Sequence, residues 1–191
     1  MAGNKNPYGP NAMTVQEATN KIAQRRVVRV FPTLAAAAIS GATGDVLINN
    51  AEIPNAVLTP GGCSKLITTV LVDYDDVQTE EDHIVIFHQT NSAIFGTLDD
   101  TADISDANLK LNKVLGFKVL DNSSGETVAH IDNAKINELE GASANIRHLP
   151  LFLQAEENST SIYFSVIQQA ASGATPDWDT GDLEFIFHIE Y

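Results

Sequence analysis

Cysteine is nearly absent. Cys63 stands alone among 191 residues, so no internal disulfide can form and no cysteine cluster can hold a metal. Positive charge is scarce too. Lys and Arg number 11 against 25 Asp and Glu, for a net charge of −14. Such a chain lacks the cations that phosphate contacts require, which argues against a nucleic-acid binder. No apolar run approaches the roughly 18 residues of a membrane span. The opening MAGNKNPYGPNAM is too polar for a signal peptide, so synthesis in a cytoplasm is expected. Trp178 is the single tryptophan and the four tyrosines are scattered, so no flat aromatic platform for sugars can be assembled.

What remains is an ordinary globular balance. Hydrophobic residues make up 43% and charged residues 19%, which excludes full disorder. At this length one domain is expected, able to bury about 70% of its unfolded surface. The charge is unevenly spread. Through Arg29 the basic residues Lys5, Lys21, Arg25, Arg26 and Arg29 face Glu17 alone, and 24 of the 25 acidic residues follow. Residues 1–26 therefore read as an extended basic arm before a body at 27–191. Asn4 to Asn11 is rich in Pro, Gly and Asn, while Thr14-Val15-Gln16-Glu17 is a capping-box pattern that opens a short helix. Val15, Ala18 and Ile22 would share a face of it.

From Val27 the hydrophobic period is two. Strands are expected at Val27–Phe31, Asp45–Asn49, Leu66–Val72 and Ile84–Phe87. Further strands are expected at Ile146–Leu153, Ser161–Ile167 and Leu183–Ile189. The proline in Ile146–Leu153 favours an edge or a bend. In the last strand Leu183, Phe185, Phe187 and Ile189 fall on one face, and Glu184, Ile186, His188 and Glu190 on the other. Ser105–Gly116 has a Ser N-cap and a Gly stop, and predicts one short helix laid on the sheets through Leu111 and Leu115, with Leu109 near that face. Many short strands with frequent turn clusters predict an all-β, antiparallel β-sandwich, jelly rolls included, with one short helix and an extended N-terminal arm.

Motifs of catalysis are weak. Asp179-Thr180-Gly181 matches the aspartic-protease triplet, but it occurs once and sits where a turn is expected. His83 and His88 are five apart on a strand and point to opposite faces. The carboxylates at 73–82 and 99–106 lack EF-hand spacing and read as solvated loops. No catalytic residue, metal or cofactor is assigned. The best enzymatic pair on offer, for a hydrolase on a β-sandwich, is Asp179 with His188.

The order of segments carries more information. Val27-Val28-Arg29-Val30-Phe31-Pro32-Thr33 is followed by Gly44-Asp45-Val46-Leu47, Ala51-Glu52-Ile53, Pro60-Gly61-Gly62 and the strand from Leu66 closed by Asp73. Then come Asp103-Ile104-Ser105-Asp106-Ala107-Asn108, Leu115-Gly116, Leu149-Pro150-Leu151, Thr160-Ser161-Ile162-Tyr163, Gly173-Ala174-Thr175-Pro176 and Gly181-Asp182-Leu183. This succession, over roughly 27–191, resembles small β-sandwich virion proteins of tailed bacteriophages encoded near the major capsid protein. It departs from them at Phe31, where a small polar residue is usual, and in its acidic body. The resemblance implies a capsid decoration or cement protein on the outer surface of the head. The implied partner is the major capsid protein and the implied assembly a homo-oligomer, a trimer by preference, with no nucleic acid and no membrane. Arg25, Arg26 and Arg29 are the expected contact residues, with Tyr8 as an arm anchor. A neck, tail or fibre component of the virion and a non-viral carbohydrate-binding module remain as alternatives.

Overall fold

The computed structural model describes residues 25–34, 43–74, 82–120, 128–131, 134–138, 150–170 and 178–191. Ten strands and one helix occupy them: β1 Arg25–Val30, β2 Val46–Ile53, β3 Cys63–Asp73, β4 Asp82–His88, α1 Asp106–Asn112, β5 Val114–Leu120, β6 Val128–Ile131, β7 Ala134–Glu138, β8 Leu151–Gln154, β9 Ile162–Ala170 and β10 Leu183–Glu190. All named strand pairs are antiparallel.

The strands form two sheets. The larger runs β1-β10-β3-β7-β6, and β8 pairs with the other half of the same edge of β3. The smaller runs β2-β9-β4-β5. With the β6–β7 hairpin set aside, β1-β10-β3-β8 opposes β2-β9-β4-β5, the strand order of a jelly roll. The all-β sandwich expected from the sequence is thus the observed architecture.

Alternation explains the core. Leu183, Phe185, Phe187 and Ile189 of β10 are buried between the sheets, where they meet Phe87 of β4 and Phe164 of β9. Burying such rings supplies the apolar area that drives the two faces together. Trp178 closes one end of the core, 1% exposed, with its indole N–H donating to both Asp73 carboxylate oxygens at 3.2 Å.

β5, β6 and β7 fall where no strand is expected from the sequence, and three further features differ. β1 begins at Arg25, inside the stretch assigned to the arm; residues 1–24, with Tyr8 and the 14–22 helix, lie outside the described residues. The helix starts as expected, with the Ser105 hydroxyl accepting from the Asn108 N–H, but it ends at Lys113 in the left-handed region. Gly116 is therefore no stop. It lies in β5, where a Cβ would come 2.7 Å from Leu151 Cδ1, so its bareness lets β8 approach β5. The helix leucines are also not packed down: Leu109 and Leu111 are exposed, and Leu115 belongs to β5.

Candidate functional surfaces

The outer face of the larger sheet carries β1's arginines. In register, Arg25 stands beside Glu190 of β10, which stands beside Lys65 of β3, which stands beside Phe152 of β8. Glu190 answers both cations, at 3.5 Å from Arg25 and 3.8 Å from Lys65. One row along, Val27 faces His188 and then Thr68. A register shift between His188 and Ile189 turns Ile67 outward there. Val27 is 51%, Ile67 43% and Phe152 66% exposed. Two shallow hollows meet at Glu190. One, of about 390 Å³, is lined by Arg25, Arg26, Val27, Ile67 and His188; the other, of about 160 Å³, by Cys63, Lys65, Phe152 and Tyr191. The patch is thus apolar and edged by Arg25, Arg26 and Lys65, at the point where the chain enters the sandwich.

Arg29 has a different task. It reaches diagonally across the sheet to Glu184, whose carboxylate accepts from its Nη1 at 2.7 Å and from the Tyr74 hydroxyl at 2.8 Å. The Glu184 side chain is 2% exposed and Arg29 is 61% exposed, so the arginine caps a carboxylate that water barely reaches. The hydrogen bond to Glu184 raises the pKa of both the guanidinium and the Tyr74 phenol. Reversing the charge of Arg29 would set two carboxylates against each other and disturb the sheet itself. Arg25 and Arg26, both exposed, can be reversed without that complication. Of the four expected contact residues, β1 brings these two to the apolar patch and commits Arg29 to Glu184; Tyr8 lies outside the described residues.

No reaction centre takes shape on the described residues. Asp179 is exposed in the turn before β10, where its N–H donates to Asp182 Oδ2 at 2.6 Å and Gly181 takes a φ of 110°. His188 is near the other end of that strand, six residues beyond Asp182 and about 20 Å from the turn at ~3.3 Å per residue, so the two cannot share a substrate. His88 Nε2 lies 3.2 Å from Ser165 Oγ, the pairing of a nucleophile and its base. Both residues are wholly buried, however, so no substrate can reach the hydroxyl. Nδ1 donates to the Thr90 carbonyl at 2.7 Å, which leaves Nε2 to accept from Ser165; Ser165 Oγ in turn accepts from the Asn50 N–H at 3.0 Å. The set fastens β2, where Asn50 has a φ of 48° beside a register shift, to β9 and β4. Asn49 and Asn50 then hold the 93–96 loop over the sheet through Ala93, Phe95 and Gly96. Among the described residues no group of three His, Cys, Asp or Glu comes together to hold a metal.

Burial gives His88 a pH signature. Desolvation lowers its pKa below the ordinary 6.5, against the opposing pull of the Thr90 carbonyl. The unfolded chain binds the proton first as pH falls, so stability present above 6.5 is lost progressively below it. Urea titrations at pH 7, 6 and 5 are expected to show falling midpoints in the wild type and a flatter trend in His88→Gln. Equal slopes would remove His88 from the account.

No protein-family model matches the chain, and the search of curated proteins finds no match. The functional reading therefore rests on the surfaces themselves and on the order of segments described above.

Proposed function

We propose that the protein is a structural component of a tailed-phage virion, a decoration or cement protein that binds the outer surface of the head and ties neighbouring major capsid subunits together. The observation that carries the reading is the outer patch of Val27, Ile67 and Phe152 edged by Arg25, Arg26 and Lys65 at the root of the basic arm. A protein that works by burying interface area needs apolar side chains at the centre of a surface and charge at its edge. The jelly roll, a fold that recurs in viral capsid domains, supports it as an analogy of fold. A basic arm continuing from β1 adds a second attachment, and linked attachments raise avidity through effective concentration. An acidic body keeps such particles from adhering to one another. In the proposed assembly three copies meet as a trimer.

Two measurements test this. Quantitative mass spectrometry of purified virions is expected to give hundreds of copies per particle. A few to a few dozen would move the protein to the neck, tail or fibres, and none would end the virion reading. Heads stripped of the protein are then titrated with wild type and with the Arg25→Glu/Arg26→Glu variant. Reversing two charges at the edge of an interface is expected to weaken binding at least about tenfold at physiological salt. Unchanged binding would remove this patch as the contact.

A further inference from the structure

The helix buries a polar residue and shows its apolar ones to solvent. Asn112 is the only buried residue of α1, whereas Leu109 is 37% and Leu111 56% exposed. Polar bonds, not leucines, hold it in place. The Asn112 amide exchanges hydrogen bonds with the backbone of Ala93, the Thr90 N–H donates to the Asn112 carbonyl, and the Thr90 hydroxyl donates to the Leu111 carbonyl. Lys113 pairs with Glu156.

The strand that follows is inverted in the same sense. Lys118 faces inward beside Val85, with Gly116 two residues before it, while Val114 remains 44% and Phe117 49% exposed. Ile84 and Ile86 of β4 complete the floor. These residues and Leu109 line an open groove of about 550 Å³ on the outer face of the smaller sheet, a size typical of ligand clefts. Apolar side chains left uncovered by both a helix and a strand, and held rigidly so, mark an interaction surface.

Charge indicates the partner. Lys110 and Lys113 stand on the rim. Only six basic residues follow Arg29 in the chain, against 24 acidic ones, and two of the six flank this groove. We propose that the groove docks an acidic amphipathic segment of a partner protein. Its apolar side chains lie on Ile86, Leu109 and Val114, in the helix-in-groove manner of recognition. Its carboxylates point to Lys110 and displace Glu156 from Lys113, an exposed pair that by itself contributes little. The segment preceding Arg25 brings Lys5 and Lys21 against Glu17 alone, which sets cations against cations. A second copy docking groove to groove would oppose the same two lysines to each other. The groove is on the opposite face of the sandwich from the Arg25–Phe152 patch, so this docking does not depend on the capsid reading.

The test uses the full-length protein and three labelled synthetic peptides, read by fluorescence anisotropy. The first is a two-heptad peptide with Leu at i, i+3, i+4 and i+7 of a single helical face and Glu on the rest of its surface. The second replaces each Glu by Lys, and the third is residues 1–24 of this chain. The acidic peptide is expected to bind saturably, at least about tenfold tighter than the other two. Lys110→Glu and Val114→Asp, each at an exposed position, are expected to weaken it at least about fivefold. Lys110→Glu alone decides the matter should Val114→Asp melt early. Absence of saturable binding overturns the proposal, as does equal or tighter binding of the basic or the 1–24 peptide. A wild-type dimer in sedimentation that Val114→Asp dissociates overturns it too, in favour of a second copy.

Discussion

Phe187→Ala is expected to cost about 3–5 kcal/mol of stability, the range for deleting a buried aromatic ring. Phe187 belongs to the larger sheet but spends its contacts on the smaller one. Its ring lies 5.1 Å from Phe164 and 5.9 Å from Phe87, both edge-on, and it stacks on Phe185 at 6.3 Å. All four rings are wholly buried. Removing one leaves a cavity between two sheets whose backbones are tied by their own ladders, so the site cannot collapse to fill it. For a chain of this size the thermal midpoint should fall by roughly 6–20 °C. Phe31→Ala is the control. Phe31 is 55% exposed, and its truncation should change stability by no more than about 0.5 kcal/mol. Urea and thermal melts followed by far-ultraviolet dichroism separate the two. A loss below about 1 kcal/mol for Phe187→Ala would mean the sheets are not joined through these rings.

Lys118→Met is expected to act in the opposite direction and stabilise the protein at pH 7 by about 1–3 kcal/mol. Lys118 is 1% exposed on the inner side of β5, and its ammonium finds no hydrogen-bond partner among the described residues. Desolvation lowers its pKa from 10.5 to about 8. The sign follows from proton binding. Between pH 8 and 10.5 the unfolded chain holds the proton that the folded chain has released, so stability rises with pH across that window. Below pH 8 both states are protonated and the full cost of the buried charge persists. Methionine has nearly the same length and no charge, so the variant should lose the rise and gain the offset. Urea midpoints at pH 7, 8, 9 and 10 give both readings at once. The window closes near pH 10, because burial raises the Tyr163 pKa and the bond to Glu184 raises that of Tyr74. Those phenols oppose any further gain once the unfolded chain begins to ionise. A Met variant no more stable at pH 7 and with the wild-type slope would show that the ammonium reaches water.

Both residues bear on what could be read without coordinates. The last strand was legible because its two faces obey one rule. Every second residue from Leu183 to Ile189 is apolar, and those four are the ones buried between the sheets. Ser161–Ile167 was legible for the same reason and overlaps β9 from Ile162, while Leu66–Val72 was legible by its length and lies inside β3. Ser105 announced the helix start because an N-cap is a local bond between a hydroxyl and a nearby N–H. β5 was hidden. Two of its three inner positions hold Gly116 and Lys118, with only Leu120 apolar, and its outer ones hold Phe117 and Val119, so most of its pattern is reversed. Gly116 then resembled a helix stop, when its role is to make room for Leu151 on another strand. The same reversal concealed the groove.

The contact residues divide along the same line. The sequence identified a run of arginines at the start of the body, since charge counts need no geometry. It could not separate Arg29 from Arg25 and Arg26, because Glu184 is 155 residues from Arg29 along the chain. The exposed companions Val27, Ile67 and Phe152 come from three strands that meet only through β10 and β3. Phe152 had one faint signal: it lies inside the apolar triplet Leu151-Phe152-Leu153, and a strand that alternates must turn one of three such residues outward.

By itself the sequence determined the period of its strands, the sandwich class that follows from that period, the cap of its helix and the sign of its charge at each end. These are local quantities, set by neighbours within a few residues. Tertiary structure alone decided the jelly-roll strand order, the burial of Lys118, the outward-facing groove and the division of labour among the arginines. Each of those depends on which distant strand lies alongside, and strand pairing is chosen by the packing of the whole core rather than by any one segment.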